Sequence, residues 1–446
     1  MTSKVITPEV LIVGAGIAGT PLALNLHKKG IDVLLVDRTM TCRRVFKAEY
    51  MQPGPLNFLR KNGFSSIFKS PHFSSIHNLH FRDLGENNQD VIGEISMHYP
   101  HGQHAVTFAH DVLVESLRHV ARKELKNRLV LGVNLHPTNI SDPSFHERPE
   151  FEFALPNMGS VKIRPRWVVG ADGRHSTVRE WMKGPKAPKN LRVIWGAKSE
   201  LIIGAEIAAP PPTKHTYQVV RSFNNGTLFA FNLPGVGQRL YFSAPEGTVK
   251  KDWQNAIQRI LKDFRKFHDI GPLDTHAPIV GCPAFQTWLG PATRGRFVLC
   301  GDAVGVTTPY GGQGISVALE HVSHLIQNFE WRAQSQLISG LTRREYALMA
   351  ESTHSRLDII NWSLYFLFFA RNPISKLITQ HVLNSWQQNP SLPAHVMSLF
   401  GGLTKEHPSI SEVFDIWGLQ KGRRAKLLSL LGPAMKRQIS RIESNI

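Results

Sequence analysis

Three aspartates share one setting: Asp37 follows Val33-Leu-Leu-Val36, Asp172 follows Val168-Val-Gly170-Ala171, and Asp302 follows Val298-Leu-Cys300-Gly301. Each closes a short aliphatic run at or beside a turn. A carboxylate at such a strand end accepts hydrogen bonds from sugar hydroxyls, while nearby glycines let backbone N–H groups approach a phosphate. The chemistry these residues suit is nucleotide recognition. Gly14-Ala-Gly16-Ile17-Ala18-Gly19 supplies the phosphate end of that reading. Gly14 suits a tight turn, Gly16 a close backbone approach to a pyrophosphate, and Gly19 the packing of a helix on a strand. Asp37 lies 18 residues beyond Gly19, the reach expected of a ribose-binding acid.

The elements that must position these groups can be read around them. Val10 to Val13 has no apolar/polar alternation, as expected of a parallel strand covered on both faces. A helical stretch follows and stops at Lys28, Lys29 and Gly30, with a basic last turn and a glycine beyond it. Its N-terminus offers unpaired N–H groups and the positive end of a dipole. Strand, glycines, helix, strand and acid in this order form a dinucleotide-binding unit. The unit alone leaves NAD and FAD both open. A second signature runs Trp167-Val-Val-Gly170-Ala-Asp172-Gly173 to Arg179, and a third runs Gly295 to Ala303 and on through Pro309-Tyr-Gly311-Gly312-Gln313-Gly314. Ile315, Ala318, Leu319, Val322, Leu325, Ile326 and Phe329 recur at helical spacing behind the last glycine, which predicts a helix starting there.

These three signatures, in this order and separation, resemble the class A flavoprotein monooxygenases with the p-hydroxybenzoate hydroxylase fold over roughly residues 8 to 330. Squalene epoxidases share the pattern. The resemblance implies an α/β protein: an FAD-binding Rossmann-like domain, an interleaved antiparallel-sheet substrate domain and a helical C-terminal region. It implies FAD held by Gly14, Gly16, Ile17, Ala18 and Gly19, by Asp37 and Arg38, and by Arg44 and His110. Asp172 and Asp302 join them, Asp302 on the ribityl chain, with Gly312, Gly314 and Ile315 under the isoalloxazine. Pro309, offering its carbonyl, and Gln52 would stand at the reacting edge. NADPH or NADH would visit transiently as electron donor, since the chain has no second complete dinucleotide fingerprint. The implied reaction passes one atom of O₂ to a hydrophobic aromatic, polycyclic or isoprenoid small molecule. An FAD-dependent reductase or dehydrogenase of an isoprenoid-type substrate, and a prenyl-binding chaperone of the same fold, are the alternatives. The chain also departs from the family pattern: Gly305 replaces a usual His, Ser316 and Glu320 stand where Asn and a later acid are usual, and His110 opens a helix usually opened by Arg.

The domain boundaries implied are 1–72, 106–180 and 286–330 for the FAD-binding domain, 73–105 and 181–285 for the sheet domain, and 331–446 for the helical region. Gly226 to Leu233 and Arg239 to Ser243 are short, aromatic and partly alternating, as antiparallel strands are. Trp253, Ile257, Ile260, Leu261, Phe264 and Phe267 mark an amphipathic helix with a basic opposite face. Trp362, Tyr365, Phe366, Phe368 and Phe369 form an aromatic cluster read first as packing. The apolar stretch Ile359 to Ala370 would span about 18 Å as a helix, against a hydrocarbon core of about 30 Å, and cannot cross a bilayer alone.

At 446 residues with 42% hydrophobic residues and 3 Cys, disordered and disulfide-stapled chains are excluded. Cys42, Cys282 and Cys300 are far apart and suit reduced thiols in a cytoplasmic protein. The +18 charge is spread along the chain, with no nucleic-acid recognition module and no metal-ligand spacing beside it. The segment Lys421 to Arg441 carries seven basic residues and no acid, interleaved with leucines. Such a tail suits peripheral contact with an anionic membrane surface.

Overall fold

Val10, Leu11 and Ile12 are fully buried, as are Val33 and Leu35 on the neighbouring strand, because helices and a second sheet cover both faces of the strands they form. In the computed structural model, residues 4–47, 49–85, 90–139, 148–155, 159–183, 192–195, 200–207, 215–222, 226–245, 252–264, 277, 279–283, 286–288, 291–369, 373–404 and 408–419 are described. The central sheet has six strands in the order Thr293–Arg294, Phe297–Leu299, Trp167–Gly170, Val10–Val13, Val33–Asp37 and Leu129–Leu131. All pair in parallel except the short hairpin at the Thr293 edge. The ends of the three aliphatic runs therefore lie side by side: Val13 is in register with Gly170 and with Val36, and Gly170 with Leu299. That register brings the three aspartate-bearing loops to one edge of one sheet.

The second large sheet has seven strands, ordered Val280–Pro283, Glu200–Ile207, Gly237–Pro245, Gly226–Leu233, Thr216–Ser222, Asn78–Leu84 and Val91–His98. Gly226–Leu233 and Gly237–Pro245 are adjacent and antiparallel, as their alternation predicts. One face packs Ile203, Leu228, Leu240 and Phe242 on Ile257 and Leu261 of the helix Trp253–Phe264. The other packs Phe81, Ile202, Val219 and Phe229 on the C-terminal helices Gln336–Leu364, Pro373–Gln388 and Ser391–Phe400. Phe366 and Phe368 of the aromatic cluster are buried there.

Some pairings cross the expected borders. Ser74–Ile76 and Ala105–Thr107 join Tyr50–Met51 in a small sheet of their own, and Gln286–Trp288 pairs with both Arg192–Trp195 and Gly305–Val306. Pairings this distant in sequence leave no mark in local composition. The triple proline Pro210-Pro211-Pro212, a sequence that breaks whatever element precedes it, lies outside the described residues, as do Phe267 and the basic tail from Lys421 to Arg441. Among the described residues, no helix is long and apolar enough to cross a membrane.

Candidate functional site

Gly14 has φ +107° and donates its N–H to Val36 O at 2.8 Å. A Cβ there would lie 2.4 Å from Ala171 O, so this turn can pass the second signature only as glycine. A Cβ at Gly19 would lie 1.9 Å from Gly14 O, which is the close approach of helix Gly19–Lys28 to its strand. Gly16 differs: a Cβ there meets nothing within 4 Å. The space beside it is left for something other than protein. Ile17 and Ala18 pack on the core, so their backbone is what they can offer a ligand.

Asp37 ends its strand with Oδ2 accepting from Ala15 N at 2.8 Å and Oδ1 accepting from Thr39 N at 2.8 Å and Thr39 Oγ1 at 2.7 Å. Arg118 stands 3.0 Å from Asp37 Oδ2 and donates Nε to Ala15 O at 2.8 Å. It is 2% exposed, so the glycine loop and Asp37 are locked by one buried guanidinium. At the opening of helix His110–Leu125, where the resembling family usually has arginine, His110 stands half-buried in the first turn. Arg118 was the residue missed. Its signal was an arginine on the apolar stripe Val114, Leu117, Ala121, Leu125. Arg38, next to Asp37, is exposed.

Asp172 caps the helix Thr177–Lys183, Oδ2 accepting from Thr177 N at 2.6 Å and Val178 N at 3.3 Å. Its Oδ1 is buried without a hydrogen-bond partner among the described residues, and burial raises its pKa. Arg179 binds the second signature to the third, donating Nη1 to Ala303 O at 2.9 Å. Asp302 lies in the single turn Gly301–Ala303, and its carboxylate makes no hydrogen bond with the described residues. Desolvation raises its pKa, while the charges of Lys47 and Arg174 pull it down. Thr20 Oγ1, in the first turn of helix Gly19–Lys28, is also buried, with no partner among the described residues. Cleared space at Gly16, the Asp302 carboxylate, and buried oxygens of Thr20 and Asp172 that have no partner among the described residues lie towards one sheet edge, and they fit an elongated, hydroxyl- and phosphate-bearing cofactor such as FAD.

In the third signature Gly311 and Gly312 have φ +70° and +64°, and a Cβ at Gly312 would meet Tyr50 Cδ1 at 3.1 Å. Pro309 is exposed and its carbonyl accepts from Gly312 N at 3.3 Å, so it closes this turn. Gly314 opens the expected helix, Gly314–Gln327, and Ile315 buries its side chain beside Leu24, Met51 and Leu319. Gln52 donates Nε2 to Gly311 O at 2.7 Å and accepts at Oε1 from Tyr99 OH at 2.6 Å, and the Tyr99 and Tyr50 hydroxyls are 2.5 Å apart. These groups form one wall of an apolar cleft completed by Tyr217, Phe229, Leu364, Phe368, Met397 and Phe400. Tyr217 lies edge-on to Tyr50 and stacks on Phe231.

Arg44 is half-exposed and pairs with Glu206 of the seven-stranded sheet at 2.7 Å. Glu206 also accepts from Arg239 Nη1 at 2.8 Å, and Arg239 grips Glu49 bidentately at 2.7 and 2.8 Å. Tyr241 donates to Glu49 at 2.6 Å, and the Arg239 guanidinium lies 3.6 Å above the Phe46 ring. The segment after the second strand is thus fastened to the seven-stranded sheet by a buried charge network centred on Arg239. Glu49, Glu206, Arg239 and Tyr241 escaped the sequence reading, because three of them lie more than 150 residues from the segment they hold.

Fold and site define a flavoprotein: residues 7–331 match the FAD binding domain family, and the chain belongs to it. It is similar to the squalene monooxygenase of Rattus norvegicus, 30% identical over an alignment of 338 residues that covers 72% of this chain and 54% of the rat protein. It is also similar to the pentachlorophenol 4-monooxygenase of Sphingobium chlorophenolicum, 22% identical over 324 residues, 71% of this chain and 57% of that enzyme. The chain therefore spans little more than half the length of these two relatives. Among solved structures, the fold is that of a flavoprotein/dehydrogenase from Cytophaga hutchinsonii, with TM-score 0.67, 15% identity, and coverage of 91% of this chain and 96% of that one.

Proposed function

We propose that the chain is an FAD-dependent monooxygenase that takes electrons from NADPH or NADH and places one atom of O₂ on a hydrophobic aromatic, polycyclic or isoprenoid substrate. The observation that carries this reading is the apolar cleft whose wall includes Gly311 of the glycine turn and Gln52 bonded to its carbonyl. When bound, FAD supplies the electron transfer and the activation of O₂. The share of the protein is to hold the cofactor, exclude water and aim the substrate. Leu364, Phe368, Met397 and Phe400 cover the cleft from the C-terminal side and keep it dry.

The hydroxyl chain has a fixed sense. Gln52 spends an N–H on Gly311 O, which leaves Oε1 as the acceptor for the proton of Tyr99, and Tyr99 then accepts from Tyr50. Burial raises the phenol pKa values of Tyr50, Tyr99 and Tyr217, so all three remain protonated at neutral pH. A substrate in the cleft therefore meets rings and one orientated set of dipoles, with no carboxylate among the lining residues.

The test is purified protein carrying yellow FAD, given a panel of hydrophobic substrates, NADPH or NADH and ¹⁸O₂. Substrate-stimulated nicotinamide oxidation with label in the product is expected. Hydrogen peroxide as sole product across the panel overturns the reading, and product reduced without label supports a reductase instead.

A further inference from the structure

We propose that His321, on the helix behind the third signature, is a positioning residue for the FAD ribityl chain: it sets Asp302 in place by accepting the backbone N–H of Gly301. This inference rests on the reading of Asp302 as the ribityl ligand. Gly301 N lies 3.1 Å from His321 Nδ1, and neither group reaches solvent. The bond requires Nδ1 to be unprotonated, which puts the ring hydrogen on Nε2. Desolvation and the neighbouring His324 push the pKa down to about 3, so the ring is neutral. Nε2 then has no partner among the described residues. A buried N–H left unpaired costs stability that a leucine or phenylalanine would not incur. What the imidazole supplies in return is the acceptor at Nδ1.

Among the described residues the Asp302 carboxylate has no hydrogen-bond partner, so the backbone around it must place it. Gly301 N is held by His321, Ala303 O by Arg179 at 2.9 Å, and Leu299 O by the Tyr346 hydroxyl at 2.6 Å. Tyr346 belongs to helix Gln336–Leu364 and packs edge-on against the His321 ring, which also faces His354 at 5.7 Å. A Cβ at Gly301 would meet Ala318 Cβ at 3.2 Å, so the turn is pressed onto the helix that carries His321. The acid expected beyond the glycine turn does not serve here, because Glu320 faces away to Thr353 and Arg356. The C-terminal helical region thus supports the cofactor turn from behind.

The experiment compares His321→Leu, which removes the acceptor, with His321→Asn, whose Oδ1 can stand where Nδ1 stood. The readouts are the FAD dissociation constant of the full chain and deuterium exchange over residues 299–303 in the flavin-free protein. Tyr346→Phe serves as a second probe, and Asp302→Ala as the control for the ribityl assignment. Expected are FAD binding about tenfold weaker and faster exchange in His321→Leu, and near-native values for both in His321→Asn. Tyr346→Phe should fall between them. If Asp302→Ala weakens FAD and His321→Leu does not, or if Asn and Leu weaken it equally, the proposal is overturned. If Asp302→Ala binds FAD normally, the ribityl assignment itself fails and His321 has nothing to position. Should His321→Leu not fold, native FAD affinity and exchange in Tyr346→Phe would overturn the claim that the turn is set from behind.

Discussion

At the nucleotide end, from Val10 to Asp37, position is set by backbone: glycines 14 and 19 pass neighbouring chain within distances no side chain allows, and three strand ends sit in register. In the seven-stranded sheet, position is set by buried charge: Arg239 with Glu49 and Glu206, and Arg221 with Asp83 at 2.6 and 2.9 Å. Arg221 also donates to Leu367 O and Thr379 Oγ1, tying the sheet to the C-terminal helices. The two regions answer different demands. A cofactor of fixed shape can be met by a rigid backbone edge, whereas a cleft assembled from segments far apart in the chain needs pairs that are costly when mismatched. Buried ion pairs add little net stability over apolar replacements, but breaking one is expensive, which makes them devices of register.

The contrast is tested most strongly by Arg239→Leu. It leaves the buried Glu49 carboxylate without its cation and with the Tyr241 hydroxyl as its remaining side-chain donor among the described residues, and a loss of roughly 3–5 kcal/mol in urea unfolding is expected. A loss under 1 kcal/mol would mean that the network does not fasten the sheet. At the nucleotide end the largest expected effect is on binding rather than folding. Asp302→Ala removes charged hydrogen bonds worth about 1.5–3 kcal/mol, roughly tenfold to a hundredfold in FAD dissociation constant. Asp172→Ala should cost less affinity and more stability, because Oδ2 already caps a helix. Equal FAD loss in both variants would contradict the division of labour between these aspartates. Gly16→Val sharpens the comparison further. Its side chain enters space free of protein, so the flavin-free melting temperature should hold while FAD binding weakens about tenfold or more.

How far each region was readable from sequence follows from the same contrast. The strand–glycine–helix units are local, and Gly14, Gly16, Gly19, Asp37, Asp172 and Asp302 all come to one sheet edge as their spacing implied. Arg118 and His321 were half legible, each a polar residue on an otherwise apolar helical stripe, a pattern that flags a buried polar group without naming its partner. The Arg239 network and the Tyr50–Tyr99–Gln52 chain were not legible. Glu49 and Arg239 are 190 residues apart, and neither sits in a periodic pattern that points to the other.

Smaller effects separate the cleft from its surroundings. Tyr99→Phe removes the hydroxyl that joins Tyr50 to Gln52, two neutral hydrogen bonds, and should cost about 1–2 kcal/mol of stability with the FAD dissociation constant unchanged. A change in FAD affinity as large as in Asp302→Ala would mean that the chain through Gly311 also shapes the cofactor site.

The smallest expected effect is a pH dependence that distinguishes surface charge from buried charge. Glu9 pairs with Arg332 near the surface, and the hydrogen bond from that guanidinium lowers its pKa. A carboxyl lowered by folding contributes stability above its unfolded value, about 4.3, and loses it as pH falls through the folded value. The deficit of Glu9→Gln should therefore be constant at neutral pH and close only in acid below that ordinary value. Glu49 behaves otherwise, because burial already raises its pKa and removing Arg239 raises it further. In Arg239→Leu the carboxyl takes up a proton on folding above the ordinary range, so its deficit should start to narrow while the solution is still above about 4.3. Two thermal-melt series across pH, one per variant, read the two windows directly. Coincident windows would place Glu49 in a solvated setting and remove the contrast between a sheet fastened by buried charge and a nucleotide edge fastened by backbone.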